Sequence, residues 1–351
     1  MPFCDWFSGF INYDRADLHD GHIITTTANG EIELDKFRPL AVKGSYDDKI
    51  IIKSCLIPAP PEWSLVSSDS IYRVYISGNP TKFFQGHNVY GHSDMLGVIR
   101  DFIKIVLQKI EVDELSIKRI LNDKIRITRI DVTNSYVMDS ANDVKSWLRA
   151  ASQYMTGKNQ KVDNEKTLYV GKNSRRVAIK VYDKATEMMM HRKTFNLDDV
   201  TFCKLHNIAS NLLRFEVTLR GMKLDDLGLN DLLKVSNEMF EKEFGNQLEK
   251  MNLPENIELV ENVINDLPLK YAGIYQKWQN GLIIKDTMSL SSFKRYRKYF
   301  LDNFNLDISM PPRDISHTNI IPLWRVIQPG AAYVPSFDDE NLYAPIMKSF
   351  N

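Results

Sequence analysis

KTLYVGKNSRRVAIKVYDKATEM, residues 166–188, is the stretch whose reading decides the fold. TLYVG and RRVAIKVYDK are rich in β-branched and aromatic residues, and the Lys-Asn-Ser between them has turn chemistry, so the stretch predicts a hairpin. Strands with the same signal lie on both sides. KIRITRIDVTNSYV (124–137) alternates Ile125, Ile127, Arg129, Asp131 and Thr133 on one face with Ile130 and Val132 on the other. NLLRFEVTLRG (211–221) is a further strand carrying Glu216, and SIYRVYISGNP (70–80) is one stopped by Gly78, Asn79 and Pro80. GEIELDKF and KIIIKSCLI read as short strands near the N-terminus, closed by the Pro-rich turn PAPPEW. Helical spacing appears in MLGVIRDFIKIVLQKI (95–110) and DVKSWLRAASQYM (143–155), and residues 223–265 read as mostly helical. LPLKYAGIYQKWQNG (267–281) is a helix closed by Gly281, and SLSSFKRYRKYFLDNF (289–304) a basic amphipathic helix behind serine N-caps. The tail TNIIPLWRVIQPGAAYVPSFDD reads as irregular. The expected fold class is α+β: an antiparallel-sheet domain over 1–225, with residues 1–65 as a small β lobe, then a mostly helical domain over 226–351.

Composition narrows the function classes. A chain of 351 residues with 43% apolar and 26% charged side chains is an ordinary globular protein of about two domains. No apolar run reaches the roughly 18–20 residues needed to span a bilayer. The N-terminus lacks a basic leader, so no signal peptide and no membrane partner are expected. Cys4, Cys55 and Cys203 lie far apart, with no metal-knuckle spacing, which suits free thiols in a reducing cytoplasm. Net charge is zero, yet two segments are locally basic: Lys172 to Lys184, with Arg175, Arg176 and Lys180, and Lys285 to Lys298, with Lys294, Arg295 and Arg297. Local charge is what meets phosphate. There is no Walker loop, no GxGxxG and no GxSxG elbow, which argues against an ATPase, a dinucleotide enzyme and an α/β-hydrolase.

Three strands each set a reactive group among apolar neighbours: Asp131, Tyr182 and Glu216. His87, in QGHNV, adds an imidazole just after a strand. A carboxylate on a sheet is costly to bury unless paired or metal-bound. Asp131, Glu216 and His87 therefore form a candidate site for a hard cation, Mg²⁺ or Mn²⁺, which would polarise a phosphate oxygen. Tyr182 is a candidate nucleophile if a nearby cation favours the phenolate, and Lys180 and Lys184 are candidates for that charge. Another reading stays open. Arg129 and Arg214 each precede a carboxylate by two residues, and same-face Arg–carboxylate pairs are common structural ion pairs. Spacing alone favours that alternative, and a single tyrosine among 15 is usually packing.

At these residues the chain resembles the gene II replication initiators of filamentous phages and, more distantly, the rolling-circle initiators of small staphylococcal plasmids. The phage-like stretches are FFQGHNVYG (83–91), ITRIDVT (127–133), NLLRFEVTLR (211–220) and NIIPLWRVI (319–327). The plasmid-like stretch is TLYVGKNSRRVAIKVYDKATE (167–187). The resemblance implies a metal-dependent endonuclease and strand transferase of replication-initiator or relaxase type. Tyr182 would be its DNA-linked nucleophile, and Asp131 and Glu216 metal ligands. It also implies an acid on the strand before the Asn-Pro turn, where this sequence has Tyr75. His87 is the substitute ligand, with His92 a weaker one.

The resemblance extends to a helix-turn-helix-like segment over 268–304, with Lys294, Arg295, Arg297 and Lys298 toward DNA. Lys172, Arg175 and Arg176 are further DNA-binding candidates. A solvated basic face on a packing helix is the rival for the C-terminal group. Supercoiled origin DNA and single-stranded DNA are the implied partners, with host helicase, polymerase and single-strand-binding protein, in the bacterial cytoplasm and as a dimer on DNA. A mobile-element relaxase and a non-catalytic origin-binding regulator are the competing functions.

Overall fold

The computed structural model describes residues 2–43, 49–58, 70–155, 160–163, 167–253, 256–258, 267–304, 307–309, 320–322, 324, 327 and 332–333. Among these, ten strands build one antiparallel sheet. In chain order they are β1 (Phe3–Ile11), β2 (His19–Thr26), β3 (Ile32–Lys43), β4 (Lys49–Pro58), β5 (Ser70–Gly78), β6 (Arg126–Val137), β7 (Gln160–Asp163), β8 (Thr167–Val170), β9 (Val177–Asp183) and β10 (Leu212–Arg220). Across the sheet the order is β2-β3-β4-β5-β1-β6-β10-β9-β8-β7. The α+β fold class is as the strand patterns predict. Among the described residues no separate β lobe forms over 1–65: β1 lies mid-sheet between β5 and β6, and β4 pairs with β5. The FCDWFSGFI strand is too apolar for an edge.

The helices are α1 (Pro80–Gln85), α2 (Met95–Lys109), α3 (Glu114–Leu121), α4 (Ala141–Tyr154), α5 (Lys184–Met190), α6 (Asp199–Ala209), α7 (Gly221–Leu227), α8 (Asn237–Glu249), α9 (Leu269–Gln279) and α10 (Leu290–Phe304). One sheet face is the main core. Ile99, Phe102, Ile103 and Val106 of α2, Val144, Trp147 and Leu148 of α4, and Phe240 and Phe244 of α8 pack there. They meet Val74, Ile76, Ile130, Val132, Val181, Phe215 and Val217 of the strands. Burying each such side chain contributes about 1.5–3 kcal/mol. Trp147 is an anchor, edge-on to Phe215 at 5.4 Å. Ile125 and Ile127 also lie in this core rather than on the Asp131 face, because a register shift at Ser8/Gly9 of β1 breaks the alternation of β6.

The boundary expected at residue 225 also moves. Phe240, Phe244, Leu248, Met251 and Leu253 belong to the main core, so this body runs through about residue 253. A separate aromatic cluster follows: Tyr275 and Trp278 of α9, Phe293 and Phe300 of α10, and Ile284 and Ile308. Tyr271 stacks on Tyr299 with ring centres 3.5 Å apart. Gly281 ends α9 at φ 80°, a left-handed position, and a 3-10 turn (Ile284–Thr287) leads to α10. Two short strands on either side of this cluster in sequence, β11 (Asn256–Glu258) and β12 (Ile320–Pro322), pair with each other, so the expected helical and irregular runs there contain strand. The PAPPEW turn lies largely outside the described residues, as does most of the tail. Among the described residues no helix is long and apolar enough to cross a membrane.

Candidate active site

The other sheet face is polar. Sheet register sets Glu216 of β10 opposite Lys180 of β9 and Thr133 of β6, and Thr218 opposite Asp131. Asp131 and Glu216 are thus diagonal neighbours, a spacing of roughly 7–8 Å along such a pair. Tyr182 lies opposite Arg214, one pleat from Glu216. It is the last residue but one of β9. Asp183 ends the strand and caps α5, accepting from Thr186 N at 3.0 Å, so Lys184 is the first residue of a helix.

Tyr182 is 1% exposed. Its hydroxyl donates to Glu216 Oε1 in a short hydrogen bond. Lys180 Nζ lies 3.6 Å from Glu216 Oε2 and 3.9 Å from the Tyr182 ring centre, a cation–π contact. Burial and the Glu216 charge push the phenol well above its usual pKa. Burial raises Glu216 to about 7; Lys180 opposes the shift, and Asp5 and Asp131 add to it. For Lys180, burial is the largest influence and works against the charge, but Glu216, Tyr169, Glu187 and Asp5 together outweigh it, so its pKa rises. The phenol is therefore protonated and hydrogen-bonded to a carboxylate that titrates near neutrality, a pairing suited to proton transfer.

The ion-pair reading holds for one arginine and fails for the other. Arg129 grips Asp131 bidentately, Nε to Oδ1 at 2.9 Å and Nη2 to Oδ2 at 2.6 Å. Burial nevertheless leaves Asp131 raised above its usual pKa. Arg214, fully buried, turns away from Glu216. It donates to Ser135 Oγ at 2.8 Å, to Asn88 O at 2.5 Å and to Val89 O, fastening the 86–92 loop to the sheet. Lys184 does not reach the tyrosine hydroxyl. It is fully buried and donates to Asn88 Oδ1 and Glu187 Oε2 at 2.8 and 2.7 Å.

His87 does not join the carboxylates. Its ring is 2% exposed, edge-on to Tyr90 at 4.9 Å. Burial, with Lys184 and Arg214 beside it, lowers its pKa to about 3. Two cations at an imidazole repel a divalent ion, so His87 is a packing residue here. His92 is exposed at the head of α2, with Nδ1 accepting from Asp94 N at 3.0 Å. Tyr75 lies in β5 over Lys53 and against Phe10.

The acid that sequence reasoning missed is Asp5. It is the extra residue at a register shift between Cys4 and Trp6 of β1, a bulge that re-aims side chains. Asp5 is 8% exposed and its Oδ1 accepts from Asn79 Nδ2 at 2.9 Å and Asn88 Nδ2 at 2.8 Å. Its charge acts on both Asp131 and Glu216. An acid inside an otherwise apolar strand was the available signal. The carboxylates suit a hard cation: the fully buried Thr133 hydroxyl opposite Glu216 also has no partner among the described residues. One or two carboxylates suffice for Mg²⁺ when phosphate supplies further oxygens. Among the described residues no three His, Cys, Asp or Glu side chains are close enough to hold an ion by themselves.

This face is built within the segment that comparison with known proteins singles out. The family described as replication-associated protein G2P, N-terminal, matches residues 3–242. The chain belongs to this family. Residues 3–242 include every strand of the ten-stranded sheet and all the site residues above. Replication-associated protein G2P of Enterobacteria phage I2-2 is 26% identical over 344 residues, covering 97% of each chain. A rolling circle replication initiator protein from Geobacillus stearothermophilus is 13% identical, covering 64% of this chain and 76% of its own, with a TM-score of 0.26.

The basic candidates of this G2P family member divide in two groups. Lys172, Arg175 and Arg176 are exposed around the β8–β9 turn, where Arg176 pairs with Asp226 and Lys172 lies 4.2 Å from the Tyr169 ring centre. Lys294, Arg295, Arg297 and Lys298 are exposed on α10. Arg297 is held by Asp307 in a bidentate pair, Nε to Oδ1 at 2.7 Å, and so serves the aromatic cluster's packing.

Proposed function

We propose that this chain starts rolling-circle replication of a phage genome by nicking one strand at the plus-strand origin and later rejoining it, with Tyr182 as nucleophile. The observation that carries the reading is the Tyr182–Glu216–Lys180 unit, on the sheet of a replication-associated family. Glu216 Oε1 takes the phenol proton as the oxygen attacks phosphorus, and Lys180, 29% exposed, faces the charge that develops. The bond from phosphorus to the 3′ oxygen breaks, the 5′ phosphate stays on Tyr182, and the departing oxygen takes a proton from water to give the 3′ hydroxyl that primes a host polymerase. Asp131 and Glu216 would hold a divalent metal, which when bound stabilises charge on the phosphate oxygens. Asp5, through Asn79 and Asn88, fixes the negative side of the site. Lys184 positions Asn88 and Glu187 rather than touching the reacting atoms.

Lys172 and Arg175, on the turn that enters β9 at the end away from Tyr182, would meet phosphates some nucleotides from the nick, and Lys294, Arg295 and Lys298 would engage duplex phosphates. Supercoiled and single-stranded DNA, host helicase and single-strand-binding protein, and a dimer on DNA complete the proposal. Tyr182→Phe should abolish nicking of supercoiled origin DNA while preserving binding. The burial of Tyr182 favours one second reading, an origin-binding regulator with a closed site. Divalent-metal-dependent cleavage of a single-stranded origin oligonucleotide by the intact chain excludes it.

A further inference from the structure

A cavity of about 260 Å³ opens beside this site, lined by Trp6, Asn79, Lys82, Asn88, Glu187, His191, Thr194 and Phe195. It shares two groups with the nucleophile's surroundings. Glu187 acts electrostatically on Tyr182, and Asn88 joins Lys184 to Asp5. Its walls are flat and mixed in character. Trp6 is fixed by its indole N–H, which donates to Ser8 Oγ and Ser77 Oγ at 3.1 and 3.2 Å. Phe195 is set by the small cluster of α5 and α6. Asn79 and Asn88 each spend one amide N–H on Asp5, and an amide nitrogen carries two. Glu187 binds Lys184 through Oε2, leaving Oε1 as an acceptor at the cavity.

The charge balance selects the ligand class. Glu187 is paired with Lys184, Lys82 Nζ lies 5.0 Å from the Phe195 ring centre, and both amides back onto the Asp5 carboxylate, so two cations meet two anions and the cavity is no anion site. Its volume lies below the roughly 300–1,000 Å³ of drug-sized sites. A neutral, planar group with donor and acceptor edges fits: one nucleobase. We infer that this cavity receives a single unstacked base of the cleaved strand, next to the scissile phosphate, and so contributes to choice of the nick position. The inference rests on the nicking reading for its biological role. Proteins that bind single strands stack successive bases on aromatic side chains, and that stacking is sequence-tolerant. The amide and carboxylate edges add selectivity among bases.

The test is an abasic scan read by binding, which separates it from the nicking reading. Fluorescein-labelled single-stranded oligonucleotides spanning the nick region, each lacking one base, are titrated with the full-length chain in chelator, and anisotropy gives Kd. One position beside the nick should lose about tenfold or more in affinity, in line with stacking on aromatic side chains. Phe195→Leu, which keeps apolar volume, and Thr194→Trp, which fills the cavity from an exposed position, should both erase that positional loss. Thermal denaturation confirms that each variant is folded. A flat abasic profile, or the same position-specific loss in wild type and in a folded Thr194→Trp variant, overturns the inference. Nicking of intact oligonucleotides, measured separately with Mg²⁺, reports on the Tyr182 reading alone.

Discussion

His87 is the group whose titration should be felt most by the fold. Its pKa is about 3 in the folded protein against an ordinary 6.5, with burial as the main cause and the Lys184 and Arg214 charges as the next. The folded pKa is depressed, so this ring's contribution is fully present above about pH 6.5 and is lost as pH falls toward 3. Each unit of difference corresponds to about 1.4 kcal/mol, so full protonation would cost about 5 kcal/mol. Whole-domain stability is itself only about 5–15 kcal/mol. At pH 4.5, where the unfolded ring is charged and the folded ring is not, the loss attributable to His87 is about 2.5 kcal/mol relative to pH 7.5. The perturbation is His87→Asn, whose amide oxygen replaces Nδ1 as acceptor for Val89 N and Gln85 Nε2. Urea unfolding of wild type and variant across pH 7.5 to 4.5 gives two slopes. The variant is less stable at pH 7.5, having lost the edge contact with Tyr90, but its stability falls with acid less steeply by about that 2.5 kcal/mol. Equal slopes in the two proteins, or an NMR titration of His87 near 6.5, would refute the reasoning.

Other expectations follow from the same geometry. Glu216→Gln keeps the shape of the acceptor but cannot take the phenol proton, so nicking should fall by about 10²- to 10⁴-fold with circular dichroism unchanged, measured on supercoiled origin DNA. A Lys294→Ala, Arg295→Ala, Lys298→Ala variant should flatten the salt dependence of duplex binding by about two to three counterions, whereas Arg297→Ala should mainly destabilise the aromatic cluster that Asp307 braces. Trp147→Ala, which empties the contact with Phe215, should cost about 3–5 kcal/mol in chemical denaturation.

The sheet was readable where local pattern and final packing agree. The strands around Asp131, Tyr182 and Glu216 carry period-two apolar residues, and helix α2 shows its stripe at Ile99, Phe102, Ile103 and Val106. What escaped was set by long-range pairing. Nothing local in FCDWFSGFI says that β1 sits mid-sheet or that a bulge turns Asp5 onto the polar face. Helix α5 is seven residues long and begins on the residue after the strand's last, so DKATEMMM passes for the end of a hairpin arm. Arg214 looks like a partner for Glu216 until the 86–92 loop supplies carbonyls that compete for it. Roles for Tyr182, Asp131 and Glu216 came from resemblance, and only three dimensions could give Tyr182 its hydrogen bond to Glu216 and its neighbour Lys180.

The most direct test of the central claim is to trap the protein on a single-stranded origin oligonucleotide with Mg²⁺, digest with trypsin and nuclease, and sequence the modified peptide by mass spectrometry. The expected product is a nucleotide linked through phosphate to the hydroxyl of Tyr182, in the tryptic peptide Val181–Lys184. A linkage on another tyrosine such as Tyr169, or efficient nicking by Tyr182→Phe, would contradict it.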